Sequence, residues 1–99
     1  MKMIEKASIL RKFGFYRTLS LLSSDGSKIQ LMEFYTKLNQ TDYYNMFIRI
    51  KRELIRKEII SIERDSVQKR KTIRLTKNGI VLKLRIKEII SQLENPNLN

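Results

Sequence analysis

The spacing of apolar residues changes twice along the chain, and this pattern restricts the fold more than any other feature of the sequence. Apolar residues recur every three or four positions up to about residue 58, alternate with polar residues between 59 and 76, and then return to the helical spacing. Helices bury every third or fourth side chain, whereas strands bury every second one. The pattern therefore predicts an α+β chain that is mainly α-helical, with one small β-hairpin.

Three helices are predicted before the hairpin. The first lies within residues 13–22 and ends in a loop at Gly26, and a short second helix covers residues 31–38. The third is predicted over residues 41–57, with Thr41 accepting a hydrogen bond at its start. Its apolar stripe consists of Tyr43, Phe47, Ile50 and Leu54. This spacing places the stripe against a core and turns the polar side outward.

The predicted hairpin has a basic loop, and a long helix follows it. The loop covers residues 66–71, between strands around Ile62 and Ile73. The last helix is predicted over residues 79–94, opened by the segment from Thr76 and ended by Asn95-Pro96. With residues 1–12 as an N-terminal extension, the whole sequence 1–99 is expected to form one domain, because 99 residues suffice for a single core.

The charge of the chain indicates a polyanionic partner. There are 21 Lys and Arg against 10 Asp and Glu, a formal net charge of +11. Residues 49–77 alone hold eleven basic and four acidic residues, so this third of the chain carries seven of those net charges. Nucleic acid is the first candidate partner and an anionic membrane surface the second.

The composition argues against catalysis, cofactors and membrane insertion. The chain has no cysteine and no histidine, which removes disulfides, thiolate chemistry and the usual zinc ligands. It has no paired-carboxylate motif and no glycine-rich phosphate loop, so we expect neither enzymatic activity, nor a bound cofactor, nor a small-molecule ligand. No apolar stretch has the length of a membrane span or a secretory signal. We therefore expect an intracellular, cytoplasmic protein with no membrane partner.

Two short motifs resemble those of a known class of DNA-binding proteins. The segment LIRKEII at 54–60 resembles the end of the recognition helix in MarR-like and PadR-like regulators, and LTKNG at 75–79 followed by Leu82 resembles their entry into the helix after the wing. The resemblance covers residues 13–93 and implies a winged helix-turn-helix fold. Those families have glycine where this chain has Glu58, in a turn that favours a positive φ. With glutamate at this position, the third helix either runs further or ends in a turn that the sequence does not specify. The composition also resembles that of small winged-helix proteins of crenarchaeal viruses and plasmids.

This resemblance, the basic loop and the helix cap together predict a site for double-stranded DNA. The third helix would enter the major groove, and the loop would contact the backbone or the minor groove. The predicted DNA-binding residues are Thr41, Tyr44, Asn45, Arg49 and Arg52 on the helix and Lys69, Arg70 and Lys71 in the loop. The alternative is that the charged helix face is only solvated.

The last helix has more apolar surface than one core contact requires, which predicts a homodimer. The predicted interface residues are Leu82, Ile86, Ile89, Ile90 and Leu93. Residues 1–12, with Ile4, Ile9 and Leu10, are candidates to join it. The alternative is that this helix only closes the core of one subunit.

The predicted function is sequence-specific DNA binding in transcription regulation. Two alternatives remain open at this stage. One is a non-specific architectural or chromatin protein of the same fold, and the other is a winged-helix module that binds RNA or protein.

Overall fold

The computed structural model describes residues 15–94, which form four helices and one three-stranded antiparallel sheet. In chain order these are α1 (Phe15–Leu19), β1 (Ile29–Gln30), α2 (Leu31–Leu38), α3 (Tyr44–Arg56), β2 (Ile60–Arg64), β3 (Lys71–Leu75) and α4 (Lys77–Glu94). The prediction of an α+β chain is confirmed. The predictions made for residues 1–12 and for Asn95-Pro96 lie outside the described residues.

The third helix is shorter than the sequence predicts. It starts at Tyr44, three residues later than expected, because Tyr43 precedes it with a non-helical backbone (φ −105°, ψ 3°). The ring of Tyr43 packs against the core from this position. The helix ends at Arg56, one residue before the predicted end.

The loop of the hairpin is also shorter than predicted, because Lys71 belongs to β3 and pairs with Arg64.

A third strand was not predicted. β1 pairs with β3 through Ile29 opposite Ile73 and Gln30 opposite Thr72, so that β3 is the central strand of the order β1-β3-β2. A two-residue strand is too short to show an alternating pattern. Only its pairing with β3 makes it a strand.

The core lies between the helices and one face of the sheet. The rings of Phe34 in α2 and Phe47 in α3 meet edge to face, with centroids 5.0 Å apart and an interplanar angle of 70°. Such a pair adds about 1 kcal/mol to the burial of its rings. The buried cluster consists of Leu19, Leu22, Leu31, Phe34, Leu38, Phe47, Leu54, Ile60, Ile73 and Leu75. Alternation along β2 and β3 turns Ser61, Glu63, Thr72 and Arg74 to the opposite face.

The start of α4 is fastened to the turn that follows α3. The Thr76 hydroxyl donates a hydrogen bond to the carbonyl oxygen of Glu58, lies 3.1 Å from that of Ile59, and accepts one from the Gly79 N–H at 3.1 Å. The backbone N–H of Thr76 donates to the Ile59 carbonyl at 3.1 Å. Gly79 is needed because a Cβ at this position would lie 2.0 Å from the Ile59 oxygen. No side chain fits there unless the backbone moves.

We expect Gly79→Ala to reduce the free energy of unfolding by about 2 kcal/mol or more, since the added methyl group would meet backbone rather than a movable side chain. Urea unfolding followed by circular dichroism measures this. Asn78→Ala is the control, because Asn78 is exposed in the same helical turn. Equal stability of the two variants would contradict the proposed close approach.

Candidate nucleic-acid interface

One side of α3 is a polar stripe that faces solvent. Asn45, Arg49, Arg52 and Arg56 are exposed and recur at spacings of four, three and four residues. Phe47 and Leu54 are buried on the other side of the helix, at 0% and 8% exposure. Because residues three and four apart are neighbours on a helix surface, the four polar side chains form one continuous row. We call this row the α3 stripe.

Most members of the α3 stripe have no partner within the described part of the chain. Arg56 is paired with Glu53, with 2.8 Å between guanidinium nitrogen and carboxylate oxygen. Asn45, Arg49 and Arg52 make no ion pair or side-chain hydrogen bond with residues 15–94. Their hydrogen-bond donors are therefore available for a ligand.

Thr41 occupies the turn between α2 and α3. Its hydroxyl donates to the Leu38 carbonyl at 2.7 Å and accepts from the Tyr43 N–H at 3.1 Å. The Thr41 hydroxyl therefore accepts a hydrogen bond from a backbone N–H, as predicted, although α3 itself begins at Tyr44. A phosphate oxygen only accepts hydrogen bonds, and the single hydroxyl proton of Thr41 is already donated. Thr41 thus shapes the turn, and a DNA contact by its side chain remains a prediction.

Tyr44 lies partly in the packing between α2 and α3. It is half-buried, and its ring centroid is 5.7 Å from that of Tyr35, with the rings at 69°. On a helix it lies about 100° away from Asn45. The ring therefore faces α2 more than the α3 stripe. The predicted contact of Tyr44 with DNA is not tested by this packing.

The loop between β2 and β3 is ordered by its own backbone. The N–H of Asp65 donates to the carbonyl of Arg70, and the N–H of Lys69 donates to the carbonyl of Asp65, both at 2.8 Å. The Asp65 carboxylate accepts from the Val67 N–H at 2.8 Å. Lys69 has a positive φ of 56°, a conformation that glycine and asparagine adopt more easily. These bonds hold residues 65–70 in one compact turn.

The basic residues of this loop also lack partners in residues 15–94. Lys69, Arg70 and Lys71 are exposed and form no ion pair there. Acidic groups nearby are already bound: Glu63 pairs with Lys28 at 3.0 Å and with Arg74 at 3.5 Å. The hydrogen bond from Lys28 is the main cause that lowers the pKa of the Glu63 carboxyl. The loop therefore presents uncompensated positive charge.

Helix α2 contacts both α3 and the loop. At its start, Leu31 and Met32 line a small groove together with Arg70 and Lys71. Its middle contacts the start of α3 through Tyr35, whose ring lies against those of Tyr44 and Phe47. Helix α3 and the loop therefore both pack against the same short helix.

The turn after α3 has the positive φ expected of glycine, although its residue is a glutamate. Glu58 has φ 57°. The N–H of Ile59 donates to the Leu54 carbonyl at 2.8 Å, and the N–H of Glu58 donates to the Ile55 carbonyl at 3.0 Å. This pair of bonds is the Schellman motif that closes helix ends. Helix α3 therefore does not run on past this point but ends in a left-handed turn, with a side chain where glycine is usual.

The predicted interface residues of α4 differ in exposure. Ile86 is only 3% exposed, so it packs against the core of its own chain. Leu82 and Ile90 are partly buried, whereas Ile89 and Leu93 are 42% and 48% exposed. The apolar stripe of α4 is therefore covered near its start and uncovered near its end.

Sequence reasoning missed one residue of the α3 surface. Ile48 is 44% exposed and lies beside Asn45 and Arg52, three and four residues away. The signal was available, because an isoleucine at that spacing falls outside the apolar stripe that ends at Leu54.

Other kinds of site receive no support from the described residues. In residues 15–94, no group of three or more acidic side chains is placed to hold a metal ion. No helix in this range has the length and apolar character to span a bilayer.

Comparison with protein-family models, with curated proteins and with solved structures finds no match to the chain.

We expect Glu58→Gly to increase the free energy of unfolding by about 0.5–1 kcal/mol, because glycine adopts the left-handed conformation without a steric penalty. Thermal or urea unfolding measures the gain. Glu58→Ala is the matched control, since it removes the same carboxylate but keeps the Cβ. An equal gain in both variants would assign the effect to charge and contradict the backbone explanation.

Proposed function

We propose that this chain is a winged helix-turn-helix protein that binds double-stranded DNA and regulates transcription. Helix α3 enters the major groove, and the loop between β2 and β3 acts as the wing on the backbone or minor groove. The observation that carries the proposal is the unpaired polar row of Asn45, Arg49 and Arg52 on the outer side of α3.

The order of the elements supports the winged-helix assignment. Two helices, α2 and α3, are joined by five residues and are followed by a hairpin whose inner strand also pairs with β1. In helix-turn-helix proteins the second helix of such a pair meets the bases, and its first turns supply the contacts. Asn45, Arg49 and Arg52 belong to those turns of α3.

The chemistry of the α3 stripe suits base recognition. A B-DNA major groove is about 12 Å wide and admits one helix. An arginine can donate two hydrogen bonds to guanine, and an asparagine amide can bind adenine through both its donor and its acceptor. Arg49 and Arg52 fit the first role and Asn45 the second, because no described residue occupies their polar atoms.

The loop suits phosphate contacts. Three consecutive cations repel one another unless an anion lies close to them, and a duplex supplies a dense row of phosphates. Lys69, Arg70 and Lys71 are held at the end of a hydrogen-bonded turn without a carboxylate partner. Together with the three arginines of the α3 stripe they make up six of the eleven basic residues in 49–77.

A homodimer through α4 belongs to the same proposal. Ile89 and Leu93 lie on the side of α4 that begins with the buried residues Gly79 and Ile86. They are much more exposed than those two residues, because residues 15–94 leave much of their surface uncovered. An α-helix rises 1.5 Å per residue, so α4 is about 27 Å long and extends beyond its own core. A symmetric partner would cover the end of α4 and place two recognition helices roughly 34–36 Å apart.

We expect Asn45→Ala, Arg49→Ala and Arg52→Ala each to weaken binding to a preferred duplex by about 5- to 150-fold, which corresponds to the roughly 1–3 kcal/mol of one base contact. The preferred duplex is first selected from a random pool, and fluorescence anisotropy then measures affinity. Arg85→Ala is the matched control, because Arg85 is an exposed arginine of α4 with no ion pair in the described range. Its affinity should stay near that of the wild type.

The same assay separates the wing from the recognition helix. Replacing Lys69 and Arg70 by Ala should reduce the slope of log K against log salt by about 1.8, because each lost phosphate contact removes about 0.9. Binding that shows the salt slope but no preferred site would indicate an architectural protein instead. Duplex affinity unchanged by all of these variants would overturn the proposal and favour RNA or an acidic protein as the partner.

We expect Ile89→Lys and Leu93→Lys to convert a dimer into a monomer, since each places a charge in the apolar end of α4. Light scattering coupled to size-exclusion chromatography measures the mass. Gln92→Lys adds the same charge beside them at an exposed polar position and should leave the dimer intact. A monomeric wild-type protein would contradict this part of the proposal.

A further inference from the structure

The solvent side of α3 carries an isoleucine among its polar side chains. Ile48 is 44% exposed. It follows Asn45 by three residues and precedes Arg52 by four, so its side chain is a surface neighbour of both. Exposed positions of helices favour long polar residues or alanine, and β-branched residues are less suited to them. An isoleucine here adds little to helix stability, and much of its apolar surface remains in water.

A major groove contains one kind of apolar group at its base edges, the C5 methyl group of thymine. In an A·T pair this methyl group lies on the same major-groove edge as the adenine N6 and N7 atoms that an asparagine amide can bind, beyond the thymine O4 atom. Asn45 and Ile48 are adjacent on α3 and offer complementary chemistry, a hydrogen-bonding amide and a hydrocarbon surface. Arg49 lies on the other side of Asn45 from Ile48, Arg52 lies one turn further along the helix, and both arginines suit guanine.

We propose that Ile48 determines specificity by contacting a thymine methyl group next to the adenine bound by Asn45. This inference rests on the proposed DNA binding and names the chemistry of the preferred site: each half-site contains an A·T step beside guanine. Ile48 selects thymine by excluding water from its methyl group, and it supplies no hydrogen bond.

The test removes the methyl group from the DNA instead of the protein. In the duplex selected from a random pool, each thymidine is replaced in turn by deoxyuridine, which keeps the base pair and lacks only the C5 methyl group. With the wild-type protein, we expect one position per half-site at which this replacement weakens binding by about three- to fivefold, the effect of one buried methyl group. At that position, Ile48→Ala should bind the thymidine and deoxyuridine duplexes equally.

Ile55→Ala is the matched control. Ile55 is also on α3 and is 40% exposed, but it lines a groove with Ile60 and Ile62 of the sheet. This variant should keep the full preference for thymidine. If no thymidine shows a methyl effect, or if Ile48→Ala keeps the effect, the role of Ile48 is overturned while DNA binding stands. If the wild-type protein binds no duplex, the proposed function fails and this inference fails with it.

Discussion

The close approach of α4 to the turn after α3 is the constraint on which the rest of the structure depends. Gly79 lies against the Ile59 carbonyl at a distance that excludes any side chain, and Thr76 binds the same turn through its hydroxyl and its N–H. Strand β2 starts immediately after this turn, and β3 ends immediately before Thr76. One contact therefore joins both ends of the hairpin to the end of α3. This contact fixes the direction of α3 relative to the hairpin.

The distribution of ion pairs matters more for function than for stability. All four ion pairs in residues 15–94 are solvent-exposed to a large degree, and such pairs contribute little to the free energy of unfolding. They use Glu33, Glu53 and Glu63 and leave the cations of the loop and most of the α3 stripe without a counter-ion. Residues 49–77, which include the loop and the three arginines of the α3 stripe, carry seven of the eleven net positive charges of the chain.

The candidate site was predictable where it depended on spacing within one element. The exposure of Asn45, Arg49 and Arg52 follows from the apolar stripe on the opposite side of the same helix, and the basic loop follows from the alternation on either side of it. Contacts between elements were not predictable in this way. The ring of Tyr44 packs against Tyr35 in α2, and the hydroxyl proton of Thr41 is donated to Leu38. Neither partner can be identified from the local sequence.

The sequence by itself determined the order of the helices and of the two hairpin strands and the outward side of α3, because side-chain periodicity acts over a few neighbouring residues. Only the tertiary structure decided that Ile29 and Gln30 form a strand, since they need β3 as a partner. It also decided that Ile86 is buried while Ile89 and Leu93 are exposed, because burial along α4 depends on where the neighbouring elements end. Likewise, Glu58 takes a left-handed conformation because the packing of Thr76 and Gly79 on this turn outweighs the local preference of a glutamate.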